Sequence, residues 1–413
     1  MPLFVVQVIG GSVADVGRLT SLTALAGVPG SIGWGNLSDR LGRRRPFLLL
    51  GFLGFGLATL LIGLGQNISQ LLALSAVSGL LGAAIGPVGS ALVLDGTAED
   101  QWPESVGRFN QIGGWSFVAG LVAGTLWLSL VPGHWGTSLA MRGLFILAGS
   151  VALLSLLITA LWLKEPPRVH SRRQFHPAFS GRLAVSVIER ALFYPPRMLY
   201  FILRPAFIGE VREHVKDALG RYYLCSFLLF LSINAGFVPF PIFLTVALEA
   251  TNAQVFLISL VKSTTDALFY VPMGRIIQRR RGIGLQAQAA AVRVGIFGCY
   301  ALLALLRPGA PGLIIVGLVH ILTGVTWAAI AVSGTTAVAA LAPKELEGRA
   351  MGLYNAVIGT AGIVGSLVGG HLAASLGYSA SFGFGALTMA LAAAWLWRLR
   401  SVVVAQPAAG QRR

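Results

Sequence analysis

The chain has 413 residues, of which 55% are hydrophobic and only 11% are charged. Soluble domains carry about 25% charged residues, so this composition cannot cover a water-exposed globular surface. The chain therefore belongs in a membrane, and an ordinary soluble enzyme is excluded. A membrane-crossing helix needs about 20 apolar residues, so the length suits about twelve such helices and no second, soluble domain.

Apolar runs predict an all-α polytopic membrane protein with eleven complete transmembrane helices. The predicted spans lie near 14–36, 46–65, 70–95, 109–131, 141–163, 222–248, 254–274, 286–306, 312–342, 351–376 and 381–400. An apolar stump from Pro2 to Ile9 precedes them and is too short to cross, because it covers about 12 Å at 1.5 Å per residue. The spans predict an N-terminal bundle (1–164), a linker (165–220), a C-terminal bundle (221–400) and a tail (401–413).

The charges predict an orientation. The chain has 31 Lys and Arg residues against 15 Asp and Glu, a formal net charge of +16. Most of the basic residues fall in alternate loops, the linker and the tail, all on the side that carries Arg43 to Arg45. Because cytoplasmic loops of membrane proteins are enriched in basic residues, this side is predicted to be cytoplasmic. The C-terminus is then cytoplasmic too, and the basic charge needs no nucleic-acid partner.

Two matches within the sequence indicate duplicated halves, a common plan of transporters. Gly35 to Arg45 recurs in degraded form as Gly274 to Arg281, and Phe109-Asn110 recurs as Tyr354-Asn355 at nearly the same offset. By this repeat, about 17 residues of helix 1 are expected ahead of the stump, as a start codon assigned too far downstream would explain. The alternative is an eleven-span protein whose stump lies in the membrane interface.

The stretch Gly35 to Arg45 resembles the Gly-x-Leu-x-Asp-Arg-x-Gly-Arg-Arg signature of the major facilitator superfamily, found between helices 2 and 3. Pro343 to Gly370 resembles the loop before helix 11 and helix 11 itself in that family. The resemblance implies two pseudo-symmetric six-helix bundles, here with helix 1 reduced to its stump. It also implies a secondary transporter that works by alternating access, and says little about the substrate.

The resemblance also implies a conformational latch on the cytoplasmic side, built from Gly35, Asp39, Arg40, Gly42, Arg43, Arg44 and Asp95. The two glycines suit a tight loop. Asp39 could cap the positive amino end of another helix, which in the family is helix 11, here near Ala350 to Leu353. In the family, Arg43 would pair with an acid at the inner end of helix 4, for which Asp95 is the candidate. The alternative is a loop whose charges only set the topology.

Ionisable residues within spans are costly and are candidates for function. Lys262 and Asp266 lie four residues apart, so they share a helix face and can form a coupling ion pair, or alternatively a structural one. The candidates for a substrate cavity are Asn234, His320, Thr323 and Trp327, with packing or interhelical bonding the competing reading for Asn234 and His320. Arg293 is expected to snorkel to the cytoplasm.

The sequence argues against several other functions. It has no phosphate-binding Gly-x4-Gly-Lys-Ser/Thr loop, and its histidines show no metal-ligand or catalytic spacing, so neither an enzyme nor a cofactor or metal is expected. Residues 114–121 lack the Gly-Pro pair of the family's antiporter signature. Arg-biased basic residues with abundant Ala and Gly point to a prokaryotic inner membrane.

We therefore expect a monomeric transporter that moves a small organic solute and is coupled to protons. The open alternatives are drug or metabolite efflux by proton antiport, and a non-transporting receptor or scaffold on the same fold. Apolar stretches beside basic residues in the linker predict interfacial helices on an anionic inner leaflet. The substrate and the direction of transport stay open.

Overall fold

A computed structural model of the chain describes residues 1–97, 102–165, 217–279, 282–342 and 347–405, and within these ranges all regular structure is α-helical. The helices are α1 (Pro2–Gln7), α2 (Val13–Leu41), α3 (Arg45–Leu64), α4 (Ile68–Gly82), α5 (Ile85–Asp95), α6 (Trp102–Leu130), α7 (Pro132–Trp162), α8 (Ala218–Phe237), α9 (Phe240–Ala247), α10 (Asn252–Arg279), α11 (Gly282–Leu306), α12 (Ala310–Leu341), α13 (Glu347–Ser375) and α14 (Tyr378–Ala405).

Ten segments of the described residues are long and apolar enough to cross a membrane. They correspond to ten of the eleven predicted spans, with α4 and α5 forming one segment and α8 and α9 another. The remaining predicted span is α2, which has 29 residues but is not among these ten segments. It packs between α4 and α13, so we treat it as the eleventh crossing.

Local chemistry explains where several helices begin and end. A capping box starts α2, in which the Ser12 hydroxyl accepts the Asp15 backbone N–H and the Asp15 carboxylate accepts the Ser12 backbone N–H. The helix ends at Gly42, whose φ of 70° is left-handed and favours glycine. The break between α8 and α9 falls at Pro239 and Pro241, because proline has no N–H to donate within a helix.

The two halves pack alike. In the N-terminal half α3 contacts α7 and α4, α2 contacts α4, and α6 contacts α7. In the C-terminal half α11 contacts α14 and α12, α10 contacts α12, and α13 contacts α14. By this correspondence, α2 is equivalent to α10 and α13 is equivalent to α6. The contact between α2 and α13 therefore has a counterpart between α10 and α6, and this contact also forms. The predicted pair of pseudo-symmetric bundles is thus confirmed.

The short helix α1 is packed against other helices of the protein. Its residues Leu3, Phe4 and Val5 are buried, and it contacts α2, α7 and α9. The guanidinium of Arg142 lies 5.5 Å from the centre of the Phe4 ring. The stump is therefore packed against both halves, and the two expectations for the amino terminus stay predictions.

We call the helix ends next to the Arg43–Arg45 loop inner and the opposite ends outer. Near its outer end, α2 meets α13 closely: a Cβ on Gly17 would lie 2.5 Å from the Ser366 carbonyl oxygen. The Ser21 hydroxyl also donates to the Ile363 carbonyl, at 2.8 Å. Toward the inner end of α2, a Cβ on Gly35 would have no atom of the described residues within 4 Å. The two helices therefore diverge toward the inner side.

The second contact between the halves shows the same divergence. Gly124 of α6 packs against Phe256 of α10, where an added Cβ would lie 2.6 Å from the ring. Gly113, Phe117 and Gly120 share this face of α6 but lie closer to its inner end. A Cβ on either glycine would meet no described atom within 4 Å, and Phe117 is 62% exposed. The halves touch at the outer side and open at the inner side, an inward-facing arrangement if the inner side is cytoplasmic.

Candidate functional site: a polar cluster between the two halves

The predicted ion pair on α10 forms. The Lys262 Nζ lies 2.5 Å from the Asp266 Oδ2, and the two side chains are 25% and 11% exposed. The other carboxylate oxygen of Asp266, Oδ1, is buried without a hydrogen-bond partner among the described residues. A buried acceptor without a donor is costly, so this pair is not a fully satisfied structural bridge.

The Lys262–Asp266 pair faces the space between the halves. Successive residues of a helix turn by roughly 100°, so Lys262, Asp266 and Tyr270 share one face. Thr265, on one side of this face, packs against Gly324 of α12, and Phe256, on the other side, packs against α6 of the opposite half. The polar face thus lies between α12 and α6. The opposite face of α10 lines an open, apolar groove with Leu260, Val261, Thr264 and Leu268.

Trp327 of α12 joins this polar face. Its Nε1–H donates to the Tyr270 hydroxyl at 2.9 Å, and the Lys262 Nζ lies 5.5 Å from the centre of its ring. Phe230 of α8 packs edge-on against the same ring, with centroids 6.0 Å apart. Three helices of the C-terminal half therefore supply one aromatic wall with a cation at its edge. Trp327 is a predicted cavity residue that the structure brings next to the ion pair.

Arg293 of α11 does not snorkel, so that expectation is wrong. The side chain is 1% exposed, and it points into the bundle rather than toward either membrane surface. Its Nε donates to the Thr326 hydroxyl at 3.1 Å and its Nη2 donates to the Thr323 carbonyl at 3.0 Å. The guanidinium lies 5.9 Å from the centre of the Trp327 ring. Hydroxyl and carbonyl acceptors on α12 replace the water that snorkelling would have reached.

His320 and Thr323 lie behind Trp327 and do not line the space between the halves. The His320 Nδ1 is 2.7 Å from the Tyr300 hydroxyl, and its ring stacks on Phe240 with centroids 4.6 Å apart. His320 is 2% exposed and Thr323 is fully buried. Both residues therefore lie in a packed layer and not in the predicted substrate cavity. For His320, this is the packing alternative.

Asn234 of α8 lies against α13. Its Nδ2 donates to the Phe230 carbonyl at 2.8 Å, one turn earlier in the same helix. A Cβ on Gly365 would lie 3.0 Å from the Asn234 Cβ, and one on Gly362 would lie 3.7 Å from Nδ2. The partly buried amide thus packs between two helices. This agrees with the alternative given for Asn234, in which it serves contact between helices.

The signature stretch is mostly helical, which corrects the predicted loop. Gly35 lies within α2, and only Gly42 occupies a backbone conformation that favours glycine. The residues Asp39 and Arg40 belong to the last turn of α2, and their side chains lie outside the described structure. The contact of Asp39 with the start of α13 stays a prediction.

Asp95 pairs with Arg44, whereas the resemblance had implied Arg43. The Arg44 Nε lies 2.9 Å from the Asp95 Oδ2, and its Nη1 donates to the Ser38 hydroxyl at 2.7 Å. A carboxylate oxygen of Glu165 accepts the backbone N–H groups of Arg44 and Arg45, at 2.7 and 2.9 Å. Because these groups begin α3, Glu165 satisfies its positive amino end. All of these residues belong to the N-terminal half or its exit.

The predicted interfacial helices of the linker lie within residues 166–216, outside the described residues, as do residues 343–346 and the end of the tail after 405. Helix α14 continues to Ala405, so the last helix extends beyond the predicted boundary at residue 400.

Comparison with known proteins identifies the family. The sequence profile described as "Major Facilitator Superfamily" matches residues 1–319 and, in a second match, residues 222–413. The chain belongs to the major facilitator superfamily. Its members are transporters, so this chain is a multi-pass membrane transporter and not an enzyme.

Relatives with similar sequences carry the name multidrug resistance protein MdtG. The protein from Escherichia fergusonii is 33% identical over 178 residues, which cover 42% of this chain and 41% of that protein. The protein from Serratia proteamaculans is 29% identical over 218 residues, which cover 51% of this chain and 49% of that protein. The chain thus matches less than half of the length of these relatives.

Solved structures share the fold at low sequence identity. The nucleoside transporter NupG has a TM-score of 0.64 and 13% identity, covering 98% of this chain and 93% of that chain. The xylose transporter XylE from E. coli has a TM-score of 0.65 and 16% identity, covering 97% and 89%. The human organic anion transporter MFSD10 has a TM-score of 0.56 and 20% identity, covering 93% and 83%. Their likeness concerns the fold alone.

Proposed function

We propose that this chain is a secondary active transporter that moves a small organic solute by alternating access and couples that movement to protons. The observation that carries the proposal is the Lys262–Asp266 pair, an ion pair within a membrane helix that faces the space between the halves. Charged groups at such depth are costly and mark ion or substrate pathways.

The coupling role follows from the chemistry of the pair. A proton on Asp266 removes the negative charge that holds the Lys262 ammonium at 2.5 Å. The ammonium then has only the Trp327 ring near it among its described contacts, and becomes free to bind a solute. Protonation and solute binding thus act on the same atoms. A change in this pair would bias the two arrangements of the halves, because each arrangement exposes the pair to a different side.

Efflux by proton antiport is the second candidate, and the names of the MdtG relatives favour it. The aromatic wall of Phe230, Tyr270 and Trp327 suits apolar, ring-containing solutes. The absence of the Gly-Pro pair from residues 114–121 weighs against it. The latch around Asp39 remains part of the proposal, as a contact that would form when the inner side closes.

Replacing Asp266 with Asn tests the coupling. In proteoliposomes that hold the whole chain, a pH gradient should drive flux of a transported dye through the parent protein and not through the Asp266→Asn variant. Exchange of labelled for unlabelled dye without a gradient should continue, because rocking needs no net proton transfer. Ethidium and 2-naphthalenesulfonate are suitable first probes, one cationic and one anionic.

The matched control is Asp15→Asn at the outer end of α2, where Asp15 pairs with Arg18 on the same helix. This variant should keep the gradient-driven flux. Undiminished gradient-driven flux through Asp266→Asn would contradict the coupling role.

A further inference from the structure

The charges around Lys262 in the C-terminal half do not balance. Lys262 and Arg293 are cations, and Asp266 is the one carboxylate that lies with them among the described residues of α10 to α12. Arg293 keeps its charge at any physiological pH. Among the described residues, its hydrogen-bond and ring contacts are a hydroxyl, a carbonyl and two aromatic rings, and none of them carries a full negative charge. One positive charge is therefore left over.

Among the described residues of α2 and of α4 to α6, no charged group faces this charge from across the space. Residues 19–38 of α2, 68–94 of α4 and α5, and 109–130 of α6 contain no Asp, Glu, Lys, Arg or His. On the C-terminal side, His320 is buried among aromatic rings beside the Tyr300 hydroxyl, and burial without a carboxylate favours its neutral ring. An excess charge at low dielectric attracts a counter-ion strongly.

The geometry also provides a place for an apolar group beside the charge. The rings of Trp327 and Tyr270 are joined by a hydrogen bond, and Tyr270 is 38% exposed. The Lys262 ammonium stands at the edge of this surface, where it is reached from the space between the halves. Arg293 lies near the same Trp327 ring but is covered, so it supplies charge without direct contact.

We propose that this site selects singly charged organic anions that carry a flat, apolar portion. The anionic group lies at Lys262, the apolar portion lies on Trp327 and Tyr270, and Arg293 is a positioning residue that keeps the site positive. The inference rests on the proposed function for the role of the site in transport, and it adds the class of solute. A cation is disfavoured because Lys262 occupies one oxygen of Asp266 and the remaining charge is repulsive.

The experiment compares three naphthalene probes that differ in charge, binding to the purified full-length protein in calorimetric titrations. The probes are 2-naphthalenesulfonate, its neutral sulfonamide, and the cation trimethyl(2-naphthylmethyl)ammonium. A sulfonate stays ionised over the usable pH range, so protonation of the probe does not confuse the result. We expect the sulfonate to bind about tenfold more tightly than either of the other two.

Charge variants sharpen the test. Lys262→Met should weaken sulfonate binding about tenfold and leave sulfonamide binding nearly unchanged. Asp266→Asn should tighten sulfonate binding several-fold, because it leaves two cations without their carboxylate. Lys262→Arg retains the charge and should keep the preference, which separates charge from correct folding. If Lys262→Met does not fold, the tighter sulfonate binding of Asp266→Asn and the unchanged preference of Lys262→Arg still decide the matter.

Tighter binding of the cation than of the sulfonate, or weaker sulfonate binding in Asp266→Asn, would overturn the inference. The result is distinguishable from failure of the proposed coupling, because binding at equilibrium needs no proton gradient. Sulfonate-selective binding without gradient-driven flux would support this inference and contradict the coupling. Gradient-driven flux with a cation-selective site would support the coupling and contradict this inference.

Discussion

Arg44 is held more tightly than its neighbours in the basic run after α2. Its side chain is 7% exposed and its guanidinium contacts Asp95 and Ser38. Its backbone N–H donates a hydrogen bond to the Glu165 carboxylate. These contacts tie the end of α2, the start of α3, the end of α5 and the exit of α7 together. The signature stretch thus stabilises the inner end of one bundle as well as any contact it makes with the other.

Removing this arginine should destabilise the N-terminal half. Arg44→Ala removes the cation from the partly exposed Asp95 carboxylate, and losing a hydrogen bond to a charged group costs about 2 kcal/mol. The melting temperature of the purified protein should fall by several degrees, as followed by tryptophan fluorescence. Arg43→Ala is the matched control, because Arg43 is exposed and its loss should cost less than about 0.5 kcal/mol. Equal melting temperatures for the two variants would contradict the structural role of Arg44.

At the scale of single residues, the sequence predicts contacts between residues that are close along the chain. The Lys262–Asp266 pair follows from spacing along one helix, so it could be predicted and was confirmed. The burial of Arg293 depends on Thr323 and Thr326 of another helix, whose facing positions no local pattern reveals. The choice of Arg44 over Arg43 depends likewise on how α3 turns relative to α5.

At the scale of helices, close packing of α2 against α13 depends on small residues near the outer ends. Gly17 faces the backbone of α13, and a backbone carbonyl cannot move aside as a flexible side chain could. Any added side chain must therefore push the two helices apart.

Gly17→Ala should shift the protein away from the inward-facing arrangement. The added methyl group would lie 2.5 Å from the Ser366 carbonyl, and overpacking of this kind costs about 1–3 kcal/mol. Spin labels at Gln66 and Leu306, on the outer ends of different halves, should report longer distances in electron–electron resonance than in the parent. Both native cysteines would be replaced beforehand.

Gly298→Ala provides the control, because a Cβ there has no atom within 4 Å. It should leave the distance distribution unchanged. If Gly17→Ala gives the same distance distribution between the spin labels as the parent protein, the role assigned to Gly17 is wrong.

Helix positions were accessible from apolar runs, because a bilayer requires long apolar segments. The breaks between helices were harder to predict from the sequence. The inner part of the signature stretch continues α2 to Leu41, although its glycines suggested a loop. Glycine tolerates both conformations, so its presence does not decide between them.

At the scale of the whole molecule, the halves form contacts at the outer ends and separate toward the inner ends. Apolar patterning predicts both bundles, since it encodes which residues avoid water. It does not predict their relative tilt, because two arrangements of the same helices differ by only a few kcal/mol.

A cysteine at Phe117 should report this opening. Phe117 shares the face of α6 that carries Gly124 but is 62% exposed. In sealed, oriented vesicles, a membrane-impermeant thiol reagent should label Phe117→Cys from the side of the Arg43–Arg45 loop and not from the other side. A cysteine at Ser129, at the outer end of the same helix, should show the reverse preference. Labelling of Phe117→Cys from the outer side alone would exclude an inward-facing resting state.

Burial is distributed unequally along the chain. In the most apolar window of α8 and α9, 67% of the residues are buried inside the protein, against 11% in the corresponding windows of α6 and α7. A larger side chain in the first segment meets other protein atoms. On α7, and on the side of α6 that faces away from α10, it meets mainly acyl chains, which yield. Mutational tolerance should therefore be highest on these two surfaces, and sequence drift there would reveal little about transport.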